Sequence, residues 1–468
     1  MRADLGGFAA DGVLALAGFG VLWGAGLLRR EPLRLLRAAG LAYLVGSAVV
    51  PLALIALLTL GVPLDLVTFL AVAGVCVAGG AGARRFARGR EASTDGGDGA
   101  PTGAVDWWVA AACGALLAAF FISGLTAARA SPLDDFDAWS IWTLKAAMLW
   151  FNDTLPVGFF TGESYEFAHQ DYPLLLPVFE AIHFRAAGTM DTRLLDTHVW
   201  LFLPAFVLAV ADLAWDSVRP AVWAPVLLLV AVASEVQAQL LTAYADVPMA
   251  IFGAAGALLL GLWLARGDGR HLALGAILLA GAASSKNEGL MVAAAVLIVA
   301  GAVVLVSKRA AVRPLALAAL GTGVAILPWR IWIADHGIEG DLPVFKGLNP
   351  AYLWDRFDRV GPSIEALTAQ LANQGKWSYL VPLAVLVGAA CFAARVARPL
   401  AAFYLGSGVL MWALLVWAYW ISPLPLTFHL DTSANRVVAA IVFVAGVAIV
   451  HLSGQLLASA RGDGVTRR

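Results

Sequence analysis

Long apolar runs, separated by short polar segments, follow one another along the whole chain. A helix that crosses a bilayer needs about 20 predominantly apolar residues. The bilayer core offers the backbone no hydrogen-bonding partner, so a run that crosses it must pair its own N–H and C=O groups, as a helix does. The pattern therefore predicts an all-α polytopic membrane protein with about 13 transmembrane helices, over residues 8–28, 36–60, 65–82, 106–128, 194–215, 221–241, 247–265, 272–286, 288–306, 314–333, 377–394, 399–420 and 434–456.

The composition agrees with lipid as the surrounding solvent. Of the 468 residues, 61% are hydrophobic and 13% are charged, whereas soluble domains average about 45–50% apolar and about 25% charged residues. The net charge of −1 gives no indication of nucleic-acid binding. Membrane lipids are therefore expected partners, and nucleic acids are not.

Lysine and arginine residues are concentrated in the short connections between alternate runs. With thirteen transmembrane helices, these basic connections all lie on one side of the membrane, and short basic loops favour the cytoplasmic side. The sequence therefore predicts a multi-pass cell-membrane protein with its N-terminus outside and its C-terminus in the cytoplasm. The basic residues concerned are Arg29, Arg30, Arg34, Arg37, Arg84, Arg85, Arg88, Arg90, Arg219, Arg266, Arg270, Lys308, Arg309, Arg313, Arg395, Arg398, Arg461, Arg467 and Arg468.

One polar segment divides the chain. Residues 83–105 are rich in Gly, Asp and Arg, which is typical of a flexible connection. We expect this segment to be a cytoplasmic linker that follows an N-terminal three-helix membrane appendage at residues 1–82. A transmembrane core is predicted over residues 106–456, followed by a cytoplasmic tail at residues 457–468.

The first long outer loop, residues 129–193, has an acidic start and an amphipathic continuation. Three acids fall within four residues, and large apolar side chains then recur at helical spacing, which favours a helix in the membrane interface. A second apolar stretch, residues 174–187, is too short to span and is expected to form an interfacial or re-entrant helix. The acids are Asp134, Asp135 and Asp137, and the apolar side chains include Phe136, Trp139, Trp142 and Trp150.

Ionisable residues recur at the predicted outer ends of several helices and in the outer loops. Such groups are costly at membrane depth, and they usually face a cavity or one another. We therefore expect them to converge on one outer cavity; the alternative is that helix ends simply carry polar residues. The set is Asp134, Asp135, Asp137, His169, Asp171, Asp246, Lys286, Glu288, Arg330, His429, Asp431 and Arg436.

Each residue type in this set has a chemical use and a simpler explanation. Three neighbouring acids repel one another unless a cation or a raised pKa intervenes. They could therefore supply a general base or bind a divalent cation through oxygen. The simpler explanation is a solvated loop. Lys286, Arg330 and Arg436 could bind a phosphate, or else extend from helix ends to the interface. Asp246 could line the cavity, cap a helix, or do both.

The sequence contains no GxxxxGK[ST] motif and no GxGxxG motif between a strand and a helix, so nothing indicates a nucleotide site. A transferase with an outward-facing charged cavity is expected to use an activated group on a lipid carrier.

The order of these features resembles the GT-C superfamily of polyprenyl-phosphate-sugar-dependent glycosyltransferases, most closely its protein O-mannosyltransferase and aminoarabinose transferase branch. The likeness covers roughly residues 106–450 and implies a GT-C-like fold there. It rests on the outer acidic loop with its amphipathic helix, the Tyr172-Pro173 stretch, Asp246 opening a helix, Lys286 at an outer turn, and the motif Thr432-Ser433-x-x-Arg436.

The resemblance implies roles for most of these residues. Asp134 and Asp135 would supply the catalytic carboxylate, and Lys286 and Arg436 would contact the donor phosphate. Some members of the family hold a divalent cation and others do not, so the resemblance leaves the need for such an ion open; Asp134, Asp135 and Asp137 would be its ligands. The resemblance also places Asp171 and Tyr172 on the acceptor side and Asp246 in the site. With the residues expected to face the outer cavity, the predicted substrate-binding set is Asp137, His169, Asp171, Tyr172, Asp246, Lys286, Glu288, Arg330, His429 and Arg436.

The resulting hypothesis is an inverting membrane glycosyltransferase. It would move a sugar from a polyprenyl-phosphate donor to an acceptor hydroxyl on the extracytoplasmic side, on a lipid or a glycan rather than a protein. The alternatives are a secondary transporter, a class in which repeats and mid-membrane charges are common, and a non-catalytic membrane subunit, which would not depend on the acids.

Cysteine labelling tests the predicted orientation. A cysteine introduced at Ser131, just before the acids, should react with a membrane-impermeant maleimide in intact cells. A cysteine introduced at Ser93, in the linker, should be protected, because the two positions are predicted to lie on opposite sides. Labelling of both positions from the same side would overturn the orientation.

Overall fold

The computed structural model describes residues 2–28, 32–87 and 102–461. All regular secondary structure in these ranges is helical, and they contain no strand. The expectation of an all-α polytopic membrane protein is confirmed at this level, because many of the helices are long and apolar enough to cross a bilayer.

Four long helices form the N-terminal part. The predicted linker is shorter than residues 83–105, because helix extends into it from both sides; residues 88–101, its middle, lie outside the described ranges. The helices are α1 (Arg2–Gly24), α2 (Pro32–Thr59), α3 (Leu66–Ala87) and α4 (Ala104–Ala130).

Short helices fill the first outer loop, as its amphipathic pattern predicts. The acids lead into a π-helical turn that continues directly into an α-helix. In order, the segments are the π-helix Ala138–Thr143, α5 (Leu144–Asn152), α6 (Val157–Phe160), the 3-10 helix Glu163–Ala168 and α7 (Leu175–Ala187).

The remainder of the chain alternates long helices with short helical segments. Its α-helices are α8 (Arg193–Trp200), α9 (Phe202–Ala214), α10 (Pro220–Ala231), α11 (Ser234–Leu240), α12 (Asp246–Arg266), α13 (Gly269–Ser285), α14 (Asn287–Ser307), α15 (Val312–Asp335), α16 (Pro350–Trp354), α17 (Val360–Leu371), α18 (Gln374–Trp377), α19 (Leu380–Ala393), α20 (Arg398–Ile421), α21 (Leu426–Val437) and α22 (Ala439–Ala460). Single 3-10 turns occupy Arg309–Ala311, Lys346–Leu348 and Phe357–Arg359.

Every predicted apolar run coincides with helix, but not every helix has the length of a span. The described residues contain ten helices long and apolar enough to cross a membrane, where directly joined helices count as one. Helices α10 and α11 are bent by 56° and add an eleventh if they form one span. The other two runs correspond to α13, with 17 residues, and α19, with 14, so the count of thirteen stays a prediction.

The helices of the predicted appendage pack closely against the rest of the chain. Helix α2 lies against α9 and α13, and α1 lies against α7. Helix α7 itself is enclosed, since residues 174–184 are all buried; this suits the re-entrant alternative better than a helix exposed at the interface. The division at residue 82 stays a prediction, but these contacts argue against a loosely attached unit.

Glycines allow the first two helices to approach backbone to backbone. A Cβ atom added to Gly18 would overlap the carbonyl oxygen of Ala42, and one added to Gly46 would overlap that of Leu14. Small residues at such crossings are typical of helices packed in membranes, where close van der Waals contact provides much of the stability.

Two alanine substitutions in α1 test this crossing. Gly18→Ala should lower the free energy of unfolding by about 1–3 kcal/mol, because the added methyl group forces α1 and α2 apart. Gly12→Ala is the matched control in the same helix, with nothing within 4 Å of its added Cβ, and should be neutral or stabilising by up to about 1 kcal/mol. Unfolding in mixed micelles measures both, and equal effects would contradict the close crossing.

Candidate functional site

The acidic start of the first outer loop meets residues from the ends of distant helices. Oδ2 of Asp137 lies 2.7 Å from Nη1 of Arg436, near the end of α21. The hydroxyl of Tyr244, just before α12, donates a hydrogen bond of 3.0 Å to Oδ1 of Asp135. The guanidinium of Arg436 also lies over the ring of Tyr244, 4.5 Å from its centroid, so the two contacts form one unit.

A second group of charges lies where α12 and α14 begin. Nζ of Lys286 is 2.8 Å from Oδ1 of Asp246 and 3.2 Å from Oε1 of Glu288. Lys286 and Asp246 are 5% and 1% exposed. No side chain caps the start of α12, so the predicted capping role of Asp246 is replaced by an ion pair across two helices.

Together these residues form what we name the charge cluster: Asp135, Asp137, Tyr244, Asp246, Lys286, Glu288 and Arg436. Its four acids outnumber its two cations. Each cation is paired with protein carboxylates, Arg436 with Asp137 and Lys286 with Asp246 and Glu288, so an incoming anion would have to displace part of that pairing.

A polar relay continues from the charge cluster to the second half of the first outer loop. Nδ2 of Asn287 donates to Oδ2 of Asp171 at 2.7 Å, and Nη2 of Arg330 donates to Oδ1 of Asn287 at 2.8 Å. The indole N–H of Trp329 donates to the backbone oxygen of Asp171 at 3.2 Å. Burial raises the pKa of Asp171, assisted by the nearby charge of Asp341.

A fully buried lysine, Lys145, donates a hydrogen bond to the backbone of the same loop. Nζ of Lys145 donates to the backbone oxygen of His169 at 2.6 Å and lies 5.5 Å from the ring centroid of Tyr172. Burial lowers the pKa of Lys145. The imidazole of His169 forms a short contact with Asp341, from the second predicted outer loop at residues 335–376, and lies near the ring of Tyr172.

A cavity of about 520 Å³ opens beside the charge cluster and the relay. Its lining combines polar side chains with side chains of α20 and the segment after it, among them Leu415, Trp417 and Tyr419. The imidazole of His429 packs against Tyr419 with ring centroids 4.5 Å apart. Six predicted substrate-binding residues line this cavity: His169, Asp171, Tyr172, Glu288, Arg330 and His429.

The three acids of the first loop do not converge on one point. Asp135 contacts Tyr244 and Asp137 contacts Arg436, while Asp134 is exposed. In the described ranges, these acids do not form a group whose donor atoms could jointly hold an ion. Asp431, also in the predicted set, is exposed.

Four contributors to the site do not appear in the sequence-based set. Tyr244 and Asn287 each lie within two residues of a predicted member, Asp246 and Lys286 respectively. Their nearness in sequence to these residues could have indicated that they belong to the site. Lys145 interrupts the apolar stripe of α5. Asp341 belongs to the second outer loop, and nothing local in its sequence distinguishes it from other loop acids.

Comparison with known proteins identified no relative of this chain. No protein-family model matches the chain, and no match was found among curated proteins or solved structures.

The buried pair of Lys286 and Asp246 can be tested by a double-mutant cycle. Lys286→Met should lower the free energy of unfolding by about 3–5 kcal/mol, because Asp246 then stays buried without its main partner. Adding Asp246→Asn should restore part of that loss. Arg193→Met is the control, since its pair with Asp191 is exposed, and it should change stability by less than about 0.5 kcal/mol. Equal losses for both lysine and arginine variants would contradict the pairing.

Proposed function

We propose that the chain is an inverting glycosyltransferase that uses a polyprenyl-phosphate sugar as donor and a lipid or glycan hydroxyl as acceptor, on the extracytoplasmic side of the membrane. The observation that supports this most is that acids and cations from separate segments, Asp137 with Arg436 and Asp246 with Lys286, pair beside a cavity lined by both polar and apolar side chains. Such a cavity suits an amphipathic substrate, and the sequence order of its residues resembles that of GT-C enzymes.

Asp135 is the better candidate for the general base. Within the described ranges its hydrogen-bond donor is the hydroxyl of Tyr244, a neutral group, whereas Asp137 is held by the guanidinium of Arg436. A base must be free to accept a proton and must lie within hydrogen-bond distance of the acceptor hydroxyl. In this proposal Asp134, which is exposed, assists at the entrance.

The reaction breaks the bond between the anomeric carbon and the phosphate oxygen of the donor. The acceptor oxygen attacks the opposite face of that carbon, and its proton passes to a carboxylate oxygen of Asp135. The polyprenyl phosphate leaves with the bonding electrons, and Lys286 and Arg436 stabilise its charge, as preorganised cations do at other sites of developing charge. Both cations would exchange part of their contact with protein carboxylates for the phosphate.

A donor screen tests the proposal. The purified protein is incubated with a panel of polyprenyl-phosphate sugars and an extract of envelope lipids and glycans, and the anomeric configuration of any product is determined. The proposal predicts transfer from at least one donor with inversion. Absence of transfer with every donor, from protein shown to be folded, would contradict it.

Carboxylate-to-amide variants then test the base. Asp135→Asn should lower turnover about 10²–10⁴-fold, because the amide cannot accept the proton. Glu365→Gln is the matched control, since Glu365 is exposed on α17 and should leave turnover unchanged. Asp134→Asn shows whether the neighbouring acid substitutes. Full activity of both Asp135→Asn and Asp134→Asn would refute the catalytic assignment.

A further inference from the structure

A buried group of one acid and two histidines joins α1 to α7 and α8. Oδ1 of Asp11 lies 3.0 Å from Nε2 of His183, and its Oδ2 lies 2.6 Å from Nδ1 of His198. The hydroxyl of Tyr43, on α2, donates to Oδ1 of Asp11 at 2.9 Å. The side chains of both histidines are fully buried, and that of Asp11 nearly so.

The surroundings fix which nitrogen of His183 faces the group. Its Nδ1 lies 2.7 Å from the backbone oxygen of Phe179, which can only accept, so Nδ1 carries a hydrogen. In the neutral ring, Nε2 then presents a lone pair toward Asp11. Metal-binding histidines are oriented in the same way, through a hydrogen bond from the other ring nitrogen to a carbonyl or carboxylate.

The charge of Asp11 also calls for a cation. An ionised carboxylate buried among membrane helices is costly unless it is paired. In the described ranges, the hydrogen bonds and ion pairs of Asp11 involve only Tyr43, His183 and His198, and none involves lysine or arginine. The positive charge must come from a protonated imidazole or from an ion.

We propose that Asp11, His183 and His198 bind a divalent transition metal of the zinc class. Their donor atoms all lie within 4.8 Å of one another, and ligands about 2 Å from one ion can be reached from there by small side-chain rotations. Two imidazole nitrogens and a carboxylate oxygen are a donor set that zinc accepts, with Tyr43 or water beside the fourth position. The ion would cross-link the first helix of the chain to the outer-loop helix α7 and to α8.

This site is separate from the proposed glycosyltransferase chemistry. In the part of the chain that the structure describes, Asp11, His183 and His198 form no hydrogen bond or ion pair with the charge cluster and do not line the cavity beside it. The ion would act on stability, so its presence can be measured whether or not the protein transfers sugar.

Metal analysis of the full chain, purified without chelator and after removal of any affinity tag, tests the proposal. Dialysis against zinc should leave about one equivalent per chain, and Co²⁺ in its place should give the visible absorption bands of a four-coordinate ion with nitrogen ligands. The cobalt measurement needs no substitution, so it stands even if the variants fold poorly.

Variants then locate the ion. His183→Ala and Asp11→Asn should each lower zinc affinity at least about tenfold, and a strong chelator should lower the melting temperature of the wild type but not of these variants. His451→Gln is the matched control, because His451 is buried and its Nδ1 pairs with Tyr404. It should retain the ion. A wild-type chain that binds neither zinc nor Co²⁺, or His183→Ala protein that binds both as the wild type does, would overturn the proposal and leave an imidazolium as the partner of Asp11.

Discussion

Pairing of buried charges is the constraint on which the arrangement of this protein depends. An ionised group enclosed by membrane helices is tolerated when an opposite charge or a hydrogen-bonding partner meets it. Lys286 and Asp246 satisfy this across α12 and the start of α14, and Arg436 and Asp137 satisfy it between α21 and the first outer loop. The Arg436–Asp137 pair holds the start of the irregular first outer loop against α21. Glu288, which also pairs with Lys286, lines the cavity.

The same constraint explains why the N-terminal helices lie so close to the rest of the chain. Asp11 is in the middle of an apolar helix, and its partners His183 and His198 belong to α7 and α8. Helix α7 thus contacts the N-terminal helices as well as the outer loop that carries the acids. Helix α7 is therefore the enclosed element that lies between α1 and this loop.

Much of this organisation could be predicted from sequence, because it is local. Apolar runs mark the helices, and polar residues at predicted helix ends such as Asp246, Lys286 and Arg436 do meet. The pairs themselves could not be predicted, since Asp137 and Arg436 are 299 positions apart and no periodicity links them. The apolar runs did not reveal the 56° bend between α10 and α11 or the short length of α19, so the number of spans stays a prediction.

Other features have no local signature at all. Lys145 appears in sequence as an interruption of an amphipathic stripe, and only the fold shows that it is enclosed beneath His169. Asp11 appears as one acid in an apolar run, and its importance depends on two histidines more than 170 positions away. Contacts of this kind depend on how distant helices pack against one another, and the sequence of a single segment does not determine that packing.

A cryo-EM structure of the chain in lipid nanodiscs with bound polyprenyl phosphate tests most directly whether Lys286 and Arg436 bind the donor phosphate. We expect the phosphate to lie within hydrogen-bond distance of both cations, with Asp135 facing the position that a sugar would occupy. Phosphate bound away from both cations, with their pairs to Asp246 and Asp137 unchanged, would contradict it.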